Sequence, residues 1–200
     1  VKKRELYRSI PNVKCHAMIS RGCYNLLENH LYIKNEFGLD PEFTLVRDVG
    51  VWDNESVNLL IHGIDELFNW YIANHETESM PHFIKFYLGH YIDYMKTGHV
   101  QHSCGAGSNI FMVNEKNELL PCVRFKDKPL LIASIPRFIR TNACNTCEVN
   151  NYCIKGCLHE QMTNQAPIAE LCVIYKHMYT KVSQMMNALQ GSATFKRYFL

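Results

Sequence analysis

Apolar residues in the first half of the chain follow two spacings, one typical of strands and one typical of helices. Short apolar runs next to turn residues predict β-strands over residues 13–19 and 43–46. Intervals of three and four residues instead predict amphipathic helices, over residues 24–37, 54–74 and 81–96. The order of strand, helix and strand at this spacing predicts a right-handed βαβ crossover.

The second half of the chain has a different pattern. Residues 110–113 and 118–120 flank the polar run Asn-Glu-Lys-Asn, which predicts a β-hairpin. Residues 141–159 show little periodicity, which indicates a loop. Residues 167–189 predict a closing helix, with Pro167 suited to its first position. The apolar stripe of this helix consists of Ile168, Leu171, Cys172, Tyr175, Met178, Val182, Met185 and Leu189.

These elements predict an α/β to α+β protein. The change of pattern places a domain boundary near residue 98, between an α/β unit at 1–98 and a cysteine-rich unit at 99–200. A chain of 200 residues, 47% hydrophobic and 20% charged, can bury a core without covalent cross-links.

Charge and hydropathy restrict the partners and the compartment. A formal net charge of +2 gives no basic surface for nucleic acid or anionic lipid. No apolar run reaches the length of a bilayer span, and no leader-like segment precedes the first strand. We therefore expect a cytoplasmic protein. Because the chain begins with Val1, we expect either an N-terminally truncated fragment or an unusual start codon.

The nine cysteines are the main chemical feature of the chain. An odd count, the lack of a leader and a size that needs no staples all argue against disulfides. Thiolates at short, uneven intervals are instead typical of metal or iron–sulfur sites. Seven of the nine form this pattern: Cys104, Cys122, and then Cys144-x2-Cys147-x5-Cys153-x3-Cys157 followed by Cys172.

Spacing divides these seven cysteines into two sites. A CxxC turn supplies two neighbouring ligands, and the gap of five residues lets the chain offer a third at another angle. Cys172, from the closing helix, adds a fourth thiolate. These four form what we call the closed site: Cys144, Cys147, Cys153 and Cys172. The remaining three form the open site, in which one iron would accept an exogenous ligand: Cys104, Cys122 and Cys157. Gly105 and Gly107 would let backbone N–H groups approach the inorganic sulfides there.

Zinc is an equally good interpretation of the spacing alone. Two zinc sites need eight ligands, and seven cysteines with His159 or His102 would supply them. The gap of five residues is uncommon in zinc knuckles, and the run also differs from the bacterial ferredoxin pattern C-x2-C-x2-C-x3-C-P.

The full pattern resembles a known family. Cys104-Gly105-Ala106-Gly107, a hairpin ending in Leu120-Pro121-Cys122, the run C-x2-C-x5-C-x3-C and a lone Cys172 are similar to the SPASM domain. This is the twitch-type C-terminal extension of radical SAM enzymes that modify peptides and proteins, anaerobic sulfatase-maturating enzymes among them. Residues 11–48 also resemble the last part of the partial (β/α)6 barrel of these enzymes.

The resemblance implies a function. It implies two auxiliary [4Fe–4S] clusters with the ligand division given above, a peptide or protein substrate, and an electron donor such as flavodoxin or ferredoxin. The missing N-terminal part would bind S-adenosylmethionine and a third [4Fe–4S] cluster. Alternatives are a zinc-stabilised interaction module and a stand-alone iron–sulfur protein that transfers electrons to a separate radical SAM chain.

The chain departs from the family pattern at several positions. It contains no CxxxCxxC, so we expect no turnover from this chain alone. Asn117 replaces a usual glycine, and asparagine tolerates the positive φ needed there. Val123 stands where sulfatase-maturating members carry an aspartate, which argues against sulfatase maturation. Ile110 stands in the place of an eighth cysteine, which keeps one iron of the open site available.

Other residues have weaker claims to function. Cys15 is expected to be a buried apolar side chain, and Cys23 also lies outside the motif. Arg47 and Asp48 end the second strand, the edge where barrel sites collect, so a substrate or cofactor contact is a hypothesis there. The catalytic residues are not predicted.

Overall fold

The structure is a computed structural model of the chain. It describes residues 5, 7, 9–98, 100, 106, 111–126, 142–154, 156–157, 159–160 and 167–199. The described part is mixed α/β, mostly helical, with two small sheets. Its elements are β1 (Cys15–Ile19), α1 (Leu26–Phe37), β2 (Pro41–Leu45), α2 (Asn54–Asn74), α3 (His82–Thr97), β3 (Met112–Val113), β4 (Leu119–Leu120), a 3-10 turn (Val123–Phe125), α4 (Asn142–Asn145), α5 (Ala169–Leu189) and α6 (Ala193–Lys196).

Both sheets have two strands. Strands β1 and β2 pair in parallel, from Cys15 opposite Pro41 to Ile19 opposite Leu45, and α1 connects them. Strands β3 and β4 form the predicted antiparallel hairpin, with Met112 opposite Leu120. Asn117 in its turn has a φ of 60°, the left-handed conformation that asparagine tolerates better than most residues.

Local signals set most helix ends. Helix α2 spans the predicted residues and begins with a capping box, in which the Asp53 carboxylate accepts the Ser56 N–H at 2.8 Å. Gly38 and Gly98 end α1 and α3 in left-handed conformation, which glycine adopts at little cost. Helix α5 begins two residues later than predicted. Ile168 is still extended and gives its N–H to the Glu160 carboxylate, so Pro167 lies outside the helix.

The hydrophobic core lies between the long helices. Helix α5 packs against both α2 and α3, and α1 packs against α2. Except for the half-buried Cys172, the predicted stripe of α5 is buried, and each large apolar side chain contributes roughly 1.5–3 kcal/mol. Residues on both sides of position 98 therefore share one core, and the division into two domains stays a prediction.

The buried face of α1 includes a polar residue. Leu31 and Ile33 of α1 are only half-buried, whereas His30 is 1% exposed. The ring of His30 packs against Trp70 of α2 at a centroid distance of 5.5 Å. In the described part of the chain, no helix is long and apolar enough to cross a membrane.

Candidate metal centre

The cysteine-rich loop folds as a series of tight turns. Helix α4 is a single turn that carries Cys144, and the Cys147 N–H then donates to the Cys144 carbonyl at 3.2 Å. A second turn brings the Cys153 N–H to the Val149 carbonyl at 2.9 Å. Val149 is buried in the main core, so these turns are attached to the helices.

The four cysteines of the closed site line one cavity of about 420 Å³. Cys172 reaches it from the beginning of α5, where its N–H makes the first helical bond, to the Ile168 carbonyl at 3.1 Å. The other walls include the apolar side chains Val149, Pro167, Ile168, Ala169 and Val173. The structure thus brings together residues from a loop and a helix that the sequence separates.

The thiols of the closed site influence one another. Burial, followed by the nearby thiols of Cys153, Cys144 and Cys147, raises the pKa of Cys172 to about 11. Without a positive partner the Cys172 thiolate is therefore disfavoured in this cavity. A bound metal centre would supply that positive charge and deprotonate the thiol.

The closed site fits an iron–sulfur cluster. Thiolates are the ligands that such clusters require, and most of the cavity wall is apolar. Among the described residues, no three Cys, His, Asp or Glu side chains are grouped closely enough to bind one metal ion.

The open site is described only in part. Cys104, with Gly105, Gly107 and Ile110, lies outside the described residues, as do His99 and His102. Cys157 is not among the residues that line the cavity. It follows Gly156, whose φ of +81° turns the chain at that point.

Two contacts bring the segment around Cys122 to the segment around Cys157. Arg124 donates through Nη2 to Asp48 Oδ1 at 2.7 Å, and its Nη1 lies 4.0 Å from Cys157 Sγ. The rings of Phe125 and His159 meet edge to face at 4.9 Å. Cys122 and Cys157 therefore lie in neighbouring segments. Asp48, which follows β2, is linked to them through its ion pair with Arg124.

Sequence reasoning missed a buried carboxylate. Glu160 is 2% exposed and lines the cavity of the closed site. Its two oxygens face the N–H groups of Ile168 at 3.3 Å and of Cys157 at 3.5 Å. A single glutamate in a polar loop carries no sequence signal of burial, because glutamate is mostly exposed in proteins.

Arg47 lies beside the same cavity. Its guanidinium is 5.6 Å from the ring centroid of Tyr175, which lines the cavity. Burial lowers the pKa of Arg47, but surrounding acidic groups raise it on balance: Tyr175, Tyr87, Glu160 and Cys157. The sequence suggested a substrate or cofactor contact at Arg47. It did not indicate which residues Arg47 would contact.

The other cysteines lie apart from the cavity. Cys15 in β1 was expected to be buried but is half-buried, and this burial raises the pKa of its thiol. Cys23 is exposed.

Comparison with known proteins gave no match, whether to a family model, to a curated protein or to a solved structure.

Proposed function

We propose that this chain is the auxiliary-cluster part of a radical SAM enzyme that modifies a peptide or protein. The observation that carries the proposal is the single cavity lined by Cys144, Cys147, Cys153 and Cys172. The SPASM-like pattern assigns these same four cysteines to one cluster. Pattern and cavity are independent observations, because the pattern uses spacing along the chain and the cavity uses positions in space.

The size of the cavity favours a cluster over a single ion. Zinc draws four ligands to one point, with Zn–S distances of about 2.3 Å. A [4Fe–4S] cluster holds its four thiolates at separate corners and occupies the volume between them. A cavity of about 420 Å³ lined by four thiols suits the second arrangement.

The residues of this chain would divide the work between two sites. The four thiolates of the closed site would hold one [4Fe–4S] cluster, and Cys104, Cys122 and Cys157 would hold the other with one iron open to substrate. When bound, the clusters supply one-electron transfer. Val149 and Ile168 would form apolar walls of the closed site, and Arg124 holds the turn after Cys122 to Asp48, which follows β2.

The finer fold belongs to the same proposal. Parallel pairing of β1 and β2 through α1 supports the interpretation of residues 11–48 as the end of a partial (β/α)6 barrel. The hairpin, the cysteine-rich turns and α5 would be the SPASM domain. S-adenosylmethionine and the cluster that cleaves it would be bound by a CxxxCxxC motif, which these 200 residues do not contain.

Metal analysis after anaerobic reconstitution tests the proposal. We expect a brown protein with about eight irons and eight sulfides, as two clusters of four. A double change of Cys144→Ser and Cys147→Ser should remove about half of the iron. The matched control, Cys15→Ser with Cys23→Ser, should retain all of it. A colourless protein with two zinc ions would overturn the proposal and favour a zinc-stabilised interaction module.

A further inference from the structure

The Glu160 carboxylate occupies a buried niche made by the backbone of residues 156–157 and 168. Its Oε1 accepts the N–H of Ile168 at 3.3 Å, and its Oε2 faces the N–H of Cys157 at 3.5 Å. Gly156 leaves room for the carboxylate, since a Cβ at that position would lie only 3.3 Å from Oε1 and 3.4 Å from Oε2. The shorter of the two contacts is therefore the one to Ile168.

Ile168 connects Glu160 to the fourth cysteine of the closed site. The N–H of Ile168 donates to Glu160, and its carbonyl accepts the N–H of Cys172 at 3.1 Å, the first helical bond of α5. Isoleucine has no polar side-chain atom with which to cap a helix. Both backbone hydrogen-bonding groups of Ile168 are thus engaged at the point where α5 begins.

We propose that Glu160 is a positioning residue that sets where Cys172 enters the closed site. The other three thiols lie in neighbouring turns, whereas Cys172 is carried by a helix, so its position depends on how the first turn of α5 is held. Glu160 lines the same cavity and is 2% exposed, so water competes little for its bond to Ile168. The inference rests on the proposed function, because a fourth ligand matters only if a cluster binds there.

A misplaced fourth ligand has a specific chemical result. In a [4Fe–4S] cluster each thiolate binds one iron, so an iron that lacks its thiolate is held by inorganic sulfides alone. Loss of that iron as Fe²⁺, with transfer of one electron to ferricyanide, converts [4Fe–4S]²⁺ to [3Fe–4S]⁺. The three remaining irons keep their thiolates. The product has its own electron paramagnetic resonance signal, which distinguishes a lost ligand from a lost fold.

Ferricyanide oxidation followed by electron paramagnetic resonance tests the inference. The background is the full chain with Cys122→Ser and Cys157→Ser, in which only the closed cluster should form and the backbone N–H of residue 157 remains. Glu160→Leu keeps the bulk of the side chain but leaves the Ile168 N–H without its acceptor. We expect the ratio of [3Fe–4S]⁺ to [4Fe–4S]²⁺ to rise about tenfold. Cys172→Ala, which deletes the fourth ligand, is the positive reference.

Two glutamate variants separate positioning from a general effect on the helix. Glu160→Gln retains one acceptor oxygen for the Ile168 N–H, so its ratio should lie close to that of the unchanged residue. Glu170→Leu removes a carboxylate from the first turn of α5 and should leave the ratio unchanged. A rise in Glu170→Leu equal to that in Glu160→Leu would contradict a role specific to Glu160.

Ile168→Pro breaks the same hydrogen bond from the donor side. The φ of Ile168 is −68°, which suits proline, and the carbonyl that accepts the Cys172 N–H is kept. This variant should match Glu160→Leu, and it carries the test if Glu160→Leu does not fold. An unchanged ratio, or complete loss of the cluster, in both variants would overturn the inference alone. Wild-type protein that binds no iron would overturn the proposed function and the inference with it.

Discussion

The closed and open sites are attached to different parts of the molecule. Cys147 and Cys153 pack against the large core formed by the long helices. Cys122 packs with Leu120 and Phe125 in a separate small cluster that includes hairpin residues. The first site is therefore held by many buried side chains, whereas the described part of the second depends on a short hairpin and a few polar contacts.

This difference teaches how two groups of cysteines in one chain can receive unequal structural support. A site attached to a packed core has its geometry set by folding, because cores are dense and deform little. A site on a two-stranded hairpin has less support, because such hairpins are marginally stable by themselves. We expect the closed site to be shaped before its metal arrives, and the open site to gain more of its order from the metal.

The largest effect should come from removing two ligands of one site. Cys153→Ser with Cys172→Ser, and Cys122→Ser with Cys157→Ser, should each lose about four of the eight irons, and the remaining cluster should differ between the two double variants. Iron and sulfide analysis with electron paramagnetic resonance would measure this. Cys23→Ser, an exposed position outside both sites, is the control. Loss of all iron from either variant would contradict the division into two sites.

The next effect concerns the core that carries the closed site. Met178 of α5 is fully buried, so Met178→Ala should lower the free energy of unfolding by about 2–5 kcal/mol. Met95 of α3 is 67% exposed, and Met95→Ala should change it by less than about 0.5 kcal/mol. Urea denaturation of the metal-free chain measures both. Equal effects of the two changes would contradict a core-supported closed site.

A smaller effect should appear as acid sensitivity of the helical core. Burial, opposed by the neighbouring Asp40, lowers the pKa of His30 below its unfolded value of about 6.5. The unfolded chain then binds the proton first, so stability is full above that pH and is lost as the pH falls through the folded pKa. His30→Leu should flatten the fall in urea midpoint between neutral and mildly acid pH. The control His62→Leu, at an exposed position, should leave the fall in urea midpoint unchanged.

The smallest effect should come from the contact that ties the open site to the strand edge. Arg124→Gln removes the bond to Asp48, and an exposed pair of this kind is worth ~1 kcal/mol or less. The clearer effect of Arg124→Gln should be faster loss of open-site iron to a chelator, because Arg124 also lies beside Cys157 Sγ. Arg21→Gln, which breaks an exposed pair with Asp53 far along the chain, is the control. Unchanged iron retention in Arg124→Gln would show that the metal alone orders this loop.

Local signals in the sequence predicted a large part of the fold. The bounds of α2 follow from its apolar spacing and from the polar residues at its start, and Gly38 and Gly98 mark where two other helices end. Such signals act within a few residues and can be read without knowing the fold. The grouping of Cys144, Cys147 and Cys153 is of the same kind, since tight turns bring them together.

Tertiary contacts decided what the sequence did not reveal. The beginning of α5 depends on a hydrogen bond from Ile168 to Glu160, eight residues away in the chain. From its residue type alone His30 would be expected at the surface, but its ring packs against Trp70 of another helix. Arg47 meets Tyr175 only after β2 and α5 have come together. Each of these requires the folded arrangement, which no local pattern contains.

The position of Cys172 on α5 has a consequence for the order of assembly. Three thiols of the closed site, those of Cys144, Cys147 and Cys153, lie in neighbouring turns that precede α5 in the chain. The fourth is delivered by a helix that packs against α2 and α3. In the proposed cluster, ligation would therefore be complete only after the helices have docked, so cluster assembly would report whether the helical core has folded.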